Sequence, residues 1–202
     1  MTLYLLTAPS GAGKTTFCAA LAEQARAAGW DVAGVLSPPV FENGEKTGIL
    51  VQNLRTRETR PLAIVNTLSP HHASHLTPHE LRITNYELHL GNWLFSPSAL
   101  AWGNEILAAS LPADLFLVDE LGPLELIRNE GWTNALPALR QTTYKIAIAV
   151  VRPSLLATAQ EIFPKAQVLP LPQSLTGLKP PAHLMEALRA GAASPHQETS
   201  TH

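Results

Sequence analysis

Only one cysteine, Cys18, occurs in 202 residues, which excludes a disulfide scaffold. Charge is sparse as well. Asp, Glu, Lys and Arg make up 15% of the chain, against roughly 25% in an ordinary soluble domain. Neither sign is in excess: 14 Lys and Arg stand against 16 Asp and Glu, for a net charge of −2. A chain without a basic field has little with which to grip nucleic acid. So thin a charge also argues against the dense ion-pair networks of hyperthermophile proteins. No apolar run approaches the ~20 residues that would span a bilayer. Met1–Thr7 lacks the basic start and cleavage site of a signal peptide. The apolar share, 46%, is ample for a sizeable core. The expectation is a cytoplasmic chain with no membrane partner, a single domain over residues 1–190 and a polar tail over 191–202.

Along the chain, Leu3–Leu6 reads as a short buried strand that breaks at a Gly-rich turn. A helical pattern runs from Lys14 to about Ala28, with Phe17, Ala20, Leu21 and Ala25 toward the core, and Gly29 stops it. Val32–Leu36 is a second strand. Strand, helix, strand is the unit of a parallel sheet with right-handed crossovers. Residues 37–65 read as a hairpin insertion: Asn43-Gly44 is a turn signal, and Ile49–Val51 and Leu62–Val65 flank a polar turn, Arg55–Arg60. Residues 66–90 hold prolines and histidines without period and predict a long irregular connection. A helix is expected over Ser98–Leu111, with Leu100, Asn104, Leu107 and Leu111 on one side. Apolar runs at Leu115–Val118, Ile146–Val151 and Ala166–Leu169 predict buried strands, with helices around Thr133–Arg140 and Ser154–Ile162. A short helix at His183–Arg189 follows a proline-rich stretch.

Two motifs carry chemistry. Ala8-Pro9-Ser10-Gly11-Ala12-Gly13-Lys14-Thr15 is a phosphate loop of the Walker A type, with alanine in the place of the usual first glycine. Gly11 and Gly13 let the backbone curl so that N–H groups converge on phosphate oxygens. The helix that opens at Lys14, Thr15 and Thr16 adds its N-terminal dipole. Lys14 is expected to reach the β- and γ-phosphates, and the Thr15 hydroxyl to ligate Mg²⁺. The second motif, Leu115-Phe116-Leu117-Val118-Asp119-Glu120, is a buried strand ending in two acids, as in a Walker B motif. Beside a phosphate loop, Asp119 is placed to hold Mg²⁺, and Glu120 to polarise an attacking water. If both acids keep strand geometry, their side chains diverge.

The run Val118-Asp119-Glu120-Leu121-Gly122-Pro123-Leu124-Glu125-Leu126, together with the N-terminal phosphate loop and the hairpin at Gly44, resembles the thermophile-type nucleoside-triphosphatase family. The resemblance runs from about Leu3 to Leu169 and is thinnest between Asn66 and Leu90. It implies an α/β fold: a RecA-like P-loop core, mainly parallel and flanked by helices, with the antiparallel hairpin as an extension. It also implies Mg²⁺-dependent hydrolysis of ATP, GTP and other nucleoside triphosphates to diphosphate and phosphate. Lys14, Thr15, Asp119 and Glu120 match the family's functional positions. The family's basic stretch after the next strand is reduced here to Arg152, with no histidine. Arg152 is expected at a strand's carboxyl end, either as a cis arginine that contacts the γ-phosphate in the transition state or as an exposed surface arginine before Pro153.

Alternatives share the same loop, metal and acids. One is a nucleotide or polynucleotide kinase-like phosphotransferase, whose acceptor pocket would lie between the 37–65 hairpins and the 66–90 connection. The other is a slow nucleotide-dependent switch. No Asn-Lys-x-Asp stretch for reading guanine occurs, so base selectivity is expected to be weak, with Leu171–Ser174 on the base side. His71, His72, His75 and His79 lack a completing acid or cysteine and are not read as a metal site. Arg55, Arg57 and Arg60 read as a solvated turn before a kinase lid. Trp93, Phe95 and Trp102 read as core before base-stacking platforms. Cys18 reads as a small buried hydrophobe. Glu125 either orients Glu120 or caps a helix.

Overall fold

A computed structural model describes residues 1–66, 88–141, 143–171 and 186. Thr2–Thr7 forms β1, and the chain turns through the Gly-rich loop into α1, Lys14–Ala27. Gly29, at φ 81°, ends α1: its N–H reaches Arg26 O at 2.9 Å while Trp30 N–H closes on Ala25 O at 3.0 Å. There follow β2 (Val32–Leu36), β3 (Pro39–Glu42), β4 (Glu45–Asn53) and β5 (Thr59–Val65). β6 (Leu88–Leu90) and β7 (Trp93–Phe95) form a small hairpin that leads into α2, Pro97–Ala108. The core resumes with β8 (Ala113–Leu121), a single π-helical turn at Leu124–Arg128, and α3 (Ala135–Arg140). It closes with β9 (Tyr144–Val151), α4 (Leu156–Ile162) and β10 (Gln167–Pro170).

All the strands join one mixed sheet in the order β10-β1-β9-β8-β2-β4-β5-β7-β6, with β3 on β4. The first five are mutually parallel; the rest are antiparallel. One strand, β9, thus separates the phosphate-loop strand β1 from the acid-bearing β8. This is the P-loop α/β arrangement the sequence implies, with the hairpin insertion continuing the sheet. Alternation along the buried strands splits the core in two. Leu6, Leu115, Leu117 and Ile148 pack toward α1; Leu5, Phe116, Val118 and Ala149 pack toward the face of α2, α3 and α4. Gly34 permits the close approach of β2 to β8: it sits at φ 109°, and a Cβ there would lie 1.9 Å from Leu117 O.

Several expectations need correction. Ala20 is exposed, and α1 buries Cys18 and Ala22 beside Phe17, Leu21 and Ala25. α2 stops at Ala108 and buries Ala99, Gly103, Ile106 and Leu107, a face rotated from the one expected. Its register is set by Trp132, whose ring fills the space a Cβ on Gly103 would take. Asn104 is spent on polar ties, donating to Gly131 O at 2.8 Å and accepting from Asn134 N–H at 2.9 Å. Residues 88–90 of the supposed irregular connection are strand. The four histidines at 71–79, the short helix expected at 183–189 apart from residue 186, the stretch 172–174 and the tail lie outside the described residues.

Candidate functional site

The site forms where β1, β8 and β9 end at the sheet's carboxyl edge, the edge at which open α/β sheets bind ligands. Gly11 and Gly13 both adopt left-handed backbone, at φ 77° and 81°, and Gly13 caps α1. No side chain caps that helix end, and its first turn carries no acid. The first amides of α1 are therefore left for an anion. Ala8 is buried against α1, so the small residue in the first-glycine position packs rather than flexes. Pro9, Ser10, Gly11 and Thr16 are exposed. The Lys14 ammonium lies across the loop, donating to Ala8 O at 2.9 Å and Pro9 O at 2.8 Å. Burial lowers its pKa, Glu120 and Asp119 oppose that, and Arg152 adds to it.

Asp119 is 2% exposed. It continues the row of Leu115 and Leu117 toward α1, where the Thr15 hydroxyl donates to its carboxylate. Ser37 N–H donates to Asp119 Oδ2 at 2.9 Å. Desolvation still pushes its pKa up to about 6, against these bonds. A hydroxyl and a desolvated carboxylate in contact are hard oxygen donors that suit Mg²⁺, a cation commonly bound through one or two protein ligands and phosphate oxygens. Among the described residues no three His, Cys, Asp or Glu side chains gather into a metal cage.

Glu120 diverges to the other side, although it does not keep strand geometry. Its φ is 78°, and the register of β8 against β9 slips between Val118 and Leu121. A non-glycine residue in this region carries strain, which clusters at functional sites. Arg152, the first residue after β9, donates from Nε to Glu120 Oε1 at 2.6 Å. Its side chain is half exposed and ion-paired with Glu120. Glu125 lies within reach of the Glu120 charge, and its carboxylate turns back to the N–H of Gly122, whose own carbonyl accepts from Leu126 N–H where the π-helical turn opens, in the manner of a capping box. It is 8% exposed and accepts from Gly122 N–H and Trp132 N–H, each at 2.8 Å, with a pKa that burial raises.

Lys14, Glu120 and Arg152 open onto a cavity of about 340 Å³. Sequence reasoning missed Lys46 there. Its ammonium lies 4.8 Å from the Trp93 ring centroid, and its pKa is lowered by burial and raised by Glu120. The register of β3 on β4 slips so that Thr47 has no partner, which brings Lys46 and Ile49, three apart, to one cavity. Period-two alternation could not reveal that; the only signal was a lysine beside the Asn-Gly turn. Ser37 was missed too, because its contribution is a backbone N–H. Trp93 and Phe95 line the cavity, half-buried. Trp102 instead lies under the Arg60 guanidinium, 4.1 Å from its ring centroid. Arg57 pairs with Glu23, whereas Arg55 clamps Asp31 and the carbonyls of Ala109, Ser110 and Pro112. Cys18 is buried, with its thiol pKa pushed up by desolvation.

This arrangement brings the Gly-rich loop with the first amides of α1, a metal-competent acid and a second acid to one sheet edge. The family model for NTPases matches residues 3–169. A nucleoside-triphosphatase THEP1 from Ignicoccus hospitalis is 30% identical over 141 residues, 70% of this chain and 66% of that protein. One from Thermococcus kodakarensis is 31% identical over 125 residues, 62% of this chain and 63% of that protein. The matches thus span slightly less than two thirds of these relatives' length. In fold, the chain is similar to the solution structure of a human cancer-related nucleoside triphosphatase, with a TM-score of 0.64 and 18% identity over 96% of this chain and 100% of that one. It is also similar to the crystal structure of THEP1 from Aquifex aeolicus, with a TM-score of 0.56 and 14% identity over 85% of this chain and 90% of that one.

Proposed function

The chain belongs to the NTPase family, and we propose that it hydrolyses nucleoside triphosphates, ATP and GTP among them, to diphosphate and phosphate. The observation that carries this is the divergence of Asp119 and Glu120 at one strand end: Asp119 bonds Thr15 beside the phosphate loop, while Glu120 and Lys14 share the adjoining cavity. Residues 8–16, Ala8 to Thr16, cradle the phosphates, and the Lys14 ammonium moves from the loop carbonyls to the β- and γ-phosphates. Thr15 and Asp119 would hold Mg²⁺, which neutralises charge between the β- and γ-phosphates when bound. The Glu120 carboxylate orients a water toward the γ-phosphate and accepts its proton. Arg152 holds that carboxylate in place and lies beside the charge that grows on the transferred group. Small triphosphates, and not nucleic acid, suit a chain with net charge −2. We further propose one domain over residues 1–190 and a cytoplasmic setting, the latter in keeping with a lone buried thiol. Among the described residues no helix is long and apolar enough to cross a membrane.

Glu120→Gln tests the reading, since it keeps size and hydrogen bonding but removes the proton acceptor. Hydrolysis should fall by roughly 10²–10⁴-fold, the usual worth of a positioned general base, while nucleotide affinity is retained. Lys14→Ala should instead weaken nucleotide binding itself. Wild-type turnover in Glu120→Gln would remove Glu120 from the chemistry.

A further inference from the structure

The cavity beside Glu120 is larger than hydrolysis needs. One water takes about 30 Å³ of liquid volume and the γ-phosphate beside Ser10 and Lys14 fills only one end, yet the cavity measures about 340 Å³, within the range of roughly 300–1,000 Å³ typical of small-molecule sites. Its chemistry is graded. Lys14, Lys46, Arg152 and Glu120 share its wall with Leu62, Leu90, Phe95, Leu100 and Trp132, and with Glu125, whose carboxylate is taken up by the Gly122 and Trp132 N–H groups. Arg152 bonds Glu120, and the charges of Glu120, Arg152 and Asp119 all reach the Lys46 ammonium, so these groups gather at the phosphate end. Apolar walls hold water poorly, and a recess built from them gains a hydrolase nothing. They do favour the body of an organic molecule whose polar group points at Glu120.

We propose that this cavity is an acceptor subsite for a small neutral alcohol with an aromatic or branched apolar body, and that the γ-phosphoryl group is transferred to its hydroxyl. The proposal rests on nucleotide binding at the phosphate loop, as read above. The acceptor hydroxyl proton passes to the Glu120 carboxylate. The acceptor oxygen bonds to the γ-phosphorus as the bond from that phosphorus to the β–γ bridging oxygen breaks, and its electron pair leaves with the nucleoside diphosphate. The product is a phosphomonoester, and hydrolysis is the same step with water in the acceptor's place. A nucleotide acceptor would bring its own phosphate. Among the described residues, the only cations lining the cavity are Lys14, Lys46 and Arg152, all gathered at the donor's end.

The test incubates the full chain with Mg²⁺ and γ-labelled ATP, and with benzyl alcohol, phenylethanol, adenosine or CMP as acceptor. Label should appear on the two aromatic alcohols at the expense of free phosphate. Saturation transfer from the protein to phenylethanol, read by NMR with ADP bound, should show occupancy without turnover. Leu100→Trp, which fills the recess, should cut both the transfer and the NMR signal at least about tenfold while phosphate release from ATP persists. Ile49→Phe serves the same end if the first variant does not fold. Label that goes to adenosine or CMP in preference overturns the neutral apolar class. Absence of both phosphomonoester and saturation transfer, with ATP still hydrolysed, overturns the subsite and leaves the hydrolase standing. Failure to bind or hydrolyse ATP at all overturns both.

Discussion

The two halves of the sheet are built to different standards. In the parallel half every residue of β2 is buried, and β9 is buried apart from Lys145. In the antiparallel half β3 is mostly exposed, and β6 and β7 have no fully buried residue. β4 joins the parallel half through only two residue pairs, Val35 with Asn53 and Leu36 with Gln52. The phosphate loop and both acids sit in the first half, whereas Lys46, Ile49, Leu62, Trp93 and Phe95, on the cavity wall, belong to the second. Stability is spread unevenly in such a structure. Phosphate chemistry is fixed by stiff strand ends, and the wall facing it is free to vary. If so, substitutions in the two halves should separate rate from stability.

The largest stability loss is expected at Glu125, just past the end of β8 in the parallel half. Its carboxylate ties the end of β8 to Trp132, and Trp132 packs on Gly103 of α2. Glu125→Ala would orphan two buried N–H groups at ~1–3 kcal/mol each, for a net loss of about 2–4 kcal/mol once the cost of burying the carboxylate is recovered. Thermal melting should fall by several degrees, and Glu125→Gln, which keeps one acceptor, should lie between. A melting temperature unchanged in both variants would show that the tie carries no load.

Asp119 should behave in the opposite way. Its carboxyl pKa is raised from 3.8 to about 6 on folding, so between those values the folded state binds the extra proton. Stability of the magnesium-free protein should therefore fall as pH rises from about 4 to 6, by on the order of 3 kcal/mol. Asp119→Asn should flatten that dependence and melt higher at neutral pH while losing hydrolysis. Such a result would mark the parallel half as the place where stability is given up for chemistry. A pH profile identical in the two proteins would contradict it.

Arg152→Ala should lower turnover by at least about tenfold, worth ~1.4 kcal/mol of transition-state stabilisation. Nucleotide affinity should hold, the pattern of an interaction made only in the transition state. Unchanged turnover in steady-state assays would reduce the Arg152–Glu120 pair to an ion pair at a strand end.

The parallel half was legible in the sequence because its signals are long or chemically unusual. Leu115–Val118 is a continuous apolar run, and Gly11, Gly13 and Lys14 have no common structural use at that spacing. The antiparallel half hid itself for physical reasons. Strands of three residues, Leu88–Leu90 and Trp93–Phe95, are too short to show a period. The bulge at Thr47 breaks alternation where Lys46 enters the cavity. α2 carries apolar side chains on several faces, so only Trp132 packing on Gly103, a contact distant in sequence, decides which face is buried. Glu125 and Arg55 act on backbone groups, which carry no residue-type signature.

The smallest effect should come from Arg55, and it is the cleanest probe of how the halves are joined. From the β4–β5 turn its guanidinium reaches Asp31, ahead of β2, and the carbonyls of Ala109 and Ser110 after α2 and of Pro112 before β8. The side chain is 40% exposed, so solvent screens the ion pair and little of its Coulomb energy remains. The three carbonyl bonds are the greater part. Arg55→Ala should cost about 1 kcal/mol, or some 2–4 °C in melting temperature for a chain of this size. Hydrolysis should stay at the wild-type rate, because none of these groups touches the phosphate loop or the acids. Amide exchange should rise in β4 and β5 and not in β1, β8 or β9. A rise shared by both halves would mean that the sheet opens as one unit, and the contrast between them would then be one of burial alone.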